Sequence, residues 1–239
     1  MKPIFESKFQ DVYLLDAGMQ FESMFVGGFN LYMDFIPLMN KMQKIDERLS
    51  LSEMYAKLDI TPYSPISKRA LYSGYEKGIV VGAGSGEDCK DLIRLDEWSL
   101  FDLTDSRMIN KAVSHSNYQT QFKKLGDKEA DTLSYAKEDR IQEYFDIECI
   151  SIDSLDLDPQ IISIDAEGSG IDVLAGAVKT IERCGPDILI GIYHNWIEYL
   201  FSVPMLYDMG YDISAVLTTN FVPTQPHLEL SLYAKRNYD

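Results

Sequence analysis

The sequence is poor in cysteine and contains no long apolar run. Its three cysteines, Cys89, Cys149 and Cys184, are widely spaced and show neither CxxC nor Cys/His ligand spacing. An odd number of scattered thiols indicates a reducing compartment, so we expect a cytoplasmic protein. No stretch reaches the roughly 18 apolar residues of a membrane span, and the first residues lack the apolar segment of a signal peptide.

Basic residues are also scarce. The chain of 239 residues carries 22 Lys and Arg against 38 Asp and Glu, for a formal net charge of −16. Residues 1–77 are nearly balanced, with 9 basic and 10 acidic side chains, so the excess lies in residues 78–239. Nucleic acids and anionic membranes are bound through Lys and Arg, so this balance argues against both as partners. A neutral or cationic small molecule fits better.

The composition, 46% hydrophobic and 25% charged, is that of an ordinary globular protein. We predict a mainly helical N-terminal segment at 1–77 and an α/β domain at 78–239. Apolar residues from Leu31 to Leu49 recur every three or four positions, which predicts a helix beginning near Asp34 to Pro37. The apolar stripe that these residues form on the helix would serve as a substrate lid, as part of the core or as a homodimer contact. Residues 59–77, which contain prolines, are expected to form a loop.

From Gly78 onward, apolar runs alternate with amphipathic stretches, which predicts a mostly parallel sheet with an antiparallel C-terminal edge. The predicted strands are Ile79–Val81, Ser99–Leu103, Met108–Val113, Ile161–Ile164, Ile188–Tyr193, Ile213–Leu217 and Leu228–Tyr233. The clearest predicted helices are Glu87–Leu95, Ile171–Cys184 and Glu198–Met209.

A buried strand runs into a glycine-rich turn at residues 78–88, GIVVGAGSGED, which is typical of a nucleotide-type site. Glu87 stands where the dinucleotide fingerprint needs its third glycine, and carboxylates there would repel a pyrophosphate. S-adenosylmethionine carries a sulfonium and an ammonium instead of phosphate, so it suits this turn better. Asp102, at the end of the next strand, is placed to bind ribose hydroxyls. The predicted cofactor-binding residues of the turn are Gly82, Ala83, Gly84, Ser85, Gly86 and Glu87.

A second strand-to-helix segment, IISIDAEGSGIDVLAGA at 161–177, resembles the FkbM-type methyltransferases. It keeps most of that family's K-I-D-x-E-G-A-E and V-L-x-G-A pattern, at Ile164, Asp165, Glu167, Gly168, Val173, Leu174, Gly176 and Ala177. Similar segments occur in family order over roughly residues 78–235. The resemblance implies a Rossmann-like class I methyltransferase sheet, S-adenosyl-L-methionine as cofactor, and a sugar, glycan or secondary metabolite whose hydroxyl is methylated. Ser114, in a turn that looks like the family's A-V-S-D, is implied to contact the cofactor.

Three side chains at strand ends are the predicted catalytic residues: His194 as the first candidate for the general base, Asp165 as the second, and Glu167. The same three groups could hold a divalent metal, but three ligands inferred from fold placement are weak evidence, and we predict no metal. The chain departs from the family at Ser163, Gly170 and His115, where the pattern has Lys, Glu and Asp. These departures keep a catalytically silent relative as an alternative, and a nicotinamide-dependent oxidoreductase is a further one.

Overall fold

The computed structural model describes residues 59–84, 88–89, 91–92, 95, 97–102, 108–124, 141–194, 196–220 and 227–236. The helix predicted near Asp34 to Pro37 and the stripe Leu31–Leu49 lie outside these residues. The structure contains a seven-stranded sheet. In their order across the sheet, its strands are β1 (Asp59–Ser67), β9 (Tyr211–Asn220), β10 (His227–Arg236), β8 (Asp187–Gly191), β7 (Ile161–Ile164), β2 (Gly78–Val81) and β3 (Trp98–Phe101).

The centre of the sheet is parallel and buried, as predicted. β2 pairs with β3 on one side and with β7 on the other, and β7 pairs with β8, all in parallel. β2 and β7 are buried along their whole lengths, which explains why both read as continuous apolar runs rather than as alternating ones. The parallel order brings the carboxyl ends of these four strands to one edge of the sheet.

The predicted antiparallel strands at the C-terminus are confirmed. β10 pairs antiparallel with both β8 and β9. The pair is not the outermost part of the sheet, however, because β1 adds to β9 in parallel. The loop prediction for residues 59–77 was wrong for residues 59–72, which form β1 and a short helix, while residues 73–77 do form turns. Pro62 and Pro65 lie in β1, which is an edge strand of the sheet, where a missing N–H is tolerated.

Four helices accompany the described strands: α1 (Lys68–Tyr72), α2 (Gly170–Ala175), α3 (Val178–Cys184) and α4 (Trp196–Asp208). The single helix predicted at Ile171–Cys184 is thus two, separated at Gly176 and Ala177. Asp153 explains the interruption, because its carboxylate accepts hydrogen bonds from the backbone N–H groups of Lys179 and Thr180 and so caps the start of α3. The predicted helix at Glu198–Met209 corresponds to α4.

A second, three-stranded sheet was not predicted. It has the order β4-β6-β5, with β4 (Ala112–Val113), β5 (Tyr118–Lys124) and β6 (Glu143–Ile150). The predicted strand at Met108–Val113 is divided, since Ile109 makes a single bridge to Phe101 of β3 whereas β4 pairs with β6. The described part of the predicted helix at Glu87–Leu95 forms turns, in which Leu92 N–H donates to Cys89 O and Leu95 N–H to Leu92 O.

No helix within the described ranges is both long and apolar enough to span a membrane.

Gly176 fixes the contact between the α2–α3 junction and the chain that follows β4. A Cβ at this position would lie 2.1 Å from the Ser114 carbonyl oxygen, which is backbone and cannot swing away. We therefore expect Gly176→Ala to lower the free energy of unfolding by about 2 kcal/mol or more, measured by urea denaturation.

Gly210→Ala is the control, because Gly210 has φ +82° but open space around it. It should cost only the backbone strain of about 1 kcal/mol. A Gly176→Ala protein no less stable than Gly210→Ala would contradict the close contact.

Candidate active site

The predicted glycine turn and the predicted catalytic residues lie at the same edge of the sheet. Gly82 follows β2, Asp102 follows β3, Asp165 follows β7, and His194 comes three residues after β8. Parallel strands deliver their carboxyl ends to one side, which is where open α/β sheets bind ligands. Residues that lie between 20 and 112 positions apart in the sequence are thereby brought into one region.

The glycine turn is shaped by one close backbone contact and one hydrogen bond to a side chain. Gly82 has φ +74°, and a Cβ there would lie 1.8 Å from the carbonyl oxygen of Asp165, so only glycine fits. Gly84 has φ +56° and open space beside it, and its N–H donates to Asp102 Oδ2 at 2.8 Å. The structure thus brings Gly82, Gly84 and Asp102 together, and their binding of a cofactor stays a prediction. Ser85, Gly86 and Glu87 lie outside the described residues.

The three predicted catalytic side chains form one cluster. His194 Nε2 is 2.7 Å from Asp165 Oδ1, and His194 Nδ1 is 3.2 Å from Glu167 Oε2. Tyr193 Oη also donates to Asp165 Oδ1, at 2.9 Å. Glu167 reaches the imidazole from a tight turn, in which it has φ +47° and Gly168 has φ +92°. A non-glycine residue in the left-handed region carries backbone strain, which is common at ligand sites.

Two further charged residues, which the sequence did not predict, complete the cluster. Lys68 Nζ of α1 lies 2.7 Å from Asp165 Oδ2 and 2.6 Å from Glu229 Oε2 of β10. Both side chains are almost fully buried, at 7% and 8% exposed. Lys68 was missed because it stands in the stretch predicted to be a loop. In the sequence Lys68 stands directly before Arg69, and nothing in the local pattern distinguishes the buried lysine from that arginine.

The charges of the cluster support one another. Burial alone would raise the pKa of Asp165, but Lys68 and His194 lower it well below its usual range. Burial likewise opposes a charged imidazole, yet Asp165 and Glu167 raise the pKa of His194 well above its ordinary value. Burial and Asp165 raise the pKa of Glu229 to about 6, against the opposing effect of Lys68. These opposite shifts favour the charged forms of Asp165 and His194 together.

Asp165, Glu167 and His194 also have the donor types of a metal site, with ligand atoms within 4.8 Å of one another. A metal needs a neutral imidazole nitrogen and free carboxylate lone pairs. Here both ring nitrogens of His194 face carboxylates, and Asp165 Oδ2 is occupied by the Lys68 ammonium. The contacts fit mutually neutralising ion pairs better than a metal centre.

Beside the cluster, Glu198 in the first turn of α4 is fully buried. Its Oε1 accepts the N–H of Gly170 at 2.8 Å, and a Cβ at position 170 would collide with the same oxygen. The glycine that departs from the family pattern at this position thus makes room for a carboxylate from another helix. Burial raises the pKa of Glu198 to about 7, although His194 acts in the opposite direction.

The other departures lie in different surroundings. Ser163 is buried in β7, where its Oγ is 2.9 Å from Tyr72 Oη. Ser114, the remaining predicted cofactor contact, follows β4 and is buried, with its Oγ 3.0 Å from Tyr118 Oη and 3.3 Å from His115 Nδ1. A cofactor role for Ser114 stays a prediction.

Glu198 should make the stability of the fold depend on pH. Its pKa is about 7 in the folded protein and 4.5 when exposed, so between these values the folded state retains a proton that the unfolded state releases. The free energy of unfolding should therefore fall as pH rises from 4.5 to 7. Glu198→Gln keeps the oxygen that faces Gly170. We expect it to match wild type near pH 4.5 and to exceed it by up to about 3 kcal/mol at pH 8.

Chemical denaturation across this pH range measures the difference. Glu182→Gln, an exposed change on α3, is the control and should follow the wild-type profile. Parallel profiles for Glu198→Gln and wild type would show that Glu198 does not titrate in this window.

One family model and one solved structure match this chain. The family model of the methyltransferase FkbM domain matches residues 32–213. A crystal structure of methyltransferase FkbM from Methylobacillus flagellatus is similar, with 20% identity and a TM-score of 0.47 over 71% of this chain and 48% of that one. This chain thus spans about half the length of that structure, and no curated protein matches it. Since the family model covers well over half of the sequence, the chain belongs to the FkbM methyltransferase family.

Proposed function

We propose that the protein is an S-adenosylmethionine-dependent O-methyltransferase acting on a hydroxyl of a small sugar, glycan or secondary metabolite. The observation that carries the proposal is the meeting of two half-sites at one sheet edge. The glycine turn with Asp102 supplies a cofactor surface, and Asp165, Glu167 and His194 supply proton-accepting groups next to it. Gly82 joins the two halves, because it packs against the Asp165 backbone.

The residues of the first half-site fit the cofactor. Gly84 is exposed and has open space where a side chain would be, so a ligand can approach its backbone closely. Asp102 is held at the same turn, and its carboxylate suits ribose hydroxyls. When bound, S-adenosylmethionine supplies an electrophilic methyl group on a sulfonium. A site with an excess of carboxylates favours that cation.

The second half-site supports proton removal from a hydroxyl acceptor. Asp165 holds His194 through Nε2, which leaves Nδ1 as the nitrogen that faces Glu167. The Glu167 side chain is 35% exposed, so it can yield this place to an acceptor hydroxyl, whereas His194 is 7% exposed and stays fixed. We propose that the withdrawal of Glu167 lowers the pKa of His194, so that the ring releases its Nδ1 proton to solvent. The neutral Nδ1 then accepts the proton of the acceptor hydroxyl, with Asp165 stabilising the imidazolium that forms again. Glu167, the second carboxylate beside the ring, raises the pKa of the His194 imidazole.

Isothermal titration should show micromolar binding of S-adenosylmethionine and S-adenosylhomocysteine and no binding of NAD. Gly84→Val should abolish this binding, because a β-branched residue is strained at φ +56° and its side chain would fill the open space.

Gly210→Val is the matched control, since Gly210 is also exposed, has φ +82° and meets open space, but lies after α4. It should retain binding at equal backbone cost. Absence of binding by the folded wild-type protein would refute the enzyme proposal and favour a silent relative, and binding of NAD would favour an oxidoreductase.

With an acceptor found by screening hydroxyl compounds, His194→Gln should lower kcat by about 100-fold or more and leave the Kd for S-adenosylmethionine unchanged. Glu167→Gln removes a negative charge beside the imidazole and lowers its pKa. The acid limb of kcat/KM should then move to lower pH. An unshifted limb in Glu167→Gln would argue against His194 as the titrating base.

A further inference from the structure

Lys68 is a buried cation that none of the steps above uses. Its side chain is 7% exposed, and it enters the cluster from α1, ahead of the first strand of the glycine turn. Its ammonium touches two carboxylates, Asp165 on β7 and Glu229 on β10. These residues lie 97 and 161 positions away in the sequence. A buried ion pair of this kind contributes little net stability, because desolvation offsets the attraction.

The two oxygens of Asp165 have separate partners. Oδ2 accepts from Lys68, and Oδ1 accepts from His194 and Tyr193. A carboxylate that is bonded on both oxygens cannot rotate about its terminal torsion. Lys68 therefore determines where Oδ1 lies, and Oδ1 determines how the His194 ring is held.

α1 is docked on the sheet by a second contact that does not involve the charges. Tyr72, one turn after Lys68, places its hydroxyl 2.9 Å from Ser163, two residues before Asp165 on β7. The helix and the strand thus pair twice along their lengths, once through hydroxyls and once through charges. Because the Tyr72 contact anchors the helix separately, the role of Lys68 can be tested apart from the docking of α1.

We propose that Lys68 is a positioning residue of the active site, which clamps the Asp165 carboxylate so that the imidazole of His194 stays aligned for the acceptor hydroxyl. The inference rests on the proposed methyl transfer. The groups that face the Lys68 ammonium are Asp165, Glu229 and, from its own helix, Tyr72. Those that face His194 are Asp165 and Glu167, and Tyr193 lies against its ring with 4.0 Å between ring centroids.

The effect of Lys68 on the alignment of His194 can be measured from the NMR signals of the imidazole, without a methyl acceptor. The sequence has three histidines, so ¹⁵N-edited NMR of the imidazoles gives few signals, and His194→Gln assigns the one of interest. Lys68→Met alone would leave the buried Glu229 without a cation and Asp165 with His194 alone, and so endanger folding. Lys68→Met with Glu229→Gln removes one charge of each sign and keeps the balance of the cluster.

The expected result is a slowly exchanging Nε2–H signal of His194 in wild type and in Glu229→Gln, which keeps the Lys68–Asp165 contact. In the double variant this signal should broaden or exchange at least about tenfold faster, while the Kd for S-adenosylmethionine changes less than about twofold. Tyr72→Phe, which removes only the hydroxyl contact to Ser163, should retain both the signal and wild-type activity. With an acceptor in hand, the double variant should lose about tenfold or more in kcat with KM little changed.

An unchanged His194 signal in a folded double variant would overturn the clamp. An equal loss of the signal in Tyr72→Phe would also overturn it, because the effect would then come from the docking of α1. Failure of the wild type to bind S-adenosylmethionine would instead refute the methyl transfer and with it the catalytic role of Lys68, and the NMR comparison would distinguish the two results.

Discussion

The carboxyl end of β7 is the point on which the rest of the site depends, and Asp165 is its centre. The backbone of Asp165 packs against Gly82, its Oδ2 holds Lys68, and its Oδ1 holds His194 and Tyr193. One residue thereby connects the glycine turn, α1 and the end of β8. An uncompensated carboxylate at this depth would be costly, so the two cations beside it are a condition for the fold to place it there.

Contacts with side chains from other elements accompany two of the three residues that depart from the family pattern. A glycine at 170 accompanies the carboxylate of Glu198, which takes the space that a side chain there would need. A serine at 163 leaves room for Tyr72 of α1, the helix that also carries Lys68. Judged from the sequence alone, these positions favoured a silent relative. In the structure, charged side chains from other elements lie at or near both of them.

The sequence predicted best what depends on local pattern. β2, β7 and β8 were found because buried parallel strands are short apolar runs, and Asp165 and His194 were found because they follow such runs. Lys68 and Glu229 could not be found in this way, since their meeting depends on how α1 and β10 pack, over separations of 97 and 161 residues. The prolines of β1 led to a wrong loop prediction for a similar reason. Proline is tolerated in an edge strand, and the packing of the other strands decides which strand lies at the edge of a sheet.

The contact between Gly82 and the Asp165 carbonyl also restricts how the glycine turn can move. Because the two backbones touch, the glycine turn cannot move toward β7 without displacing the residue that orients His194. A ligand that shifts the turn therefore also shifts the imidazole, and a ligand that braces the imidazole also braces the turn. In the proposed enzyme, cofactor binding at the turn and alignment of the imidazole would therefore influence each other, and any such coupling is reciprocal.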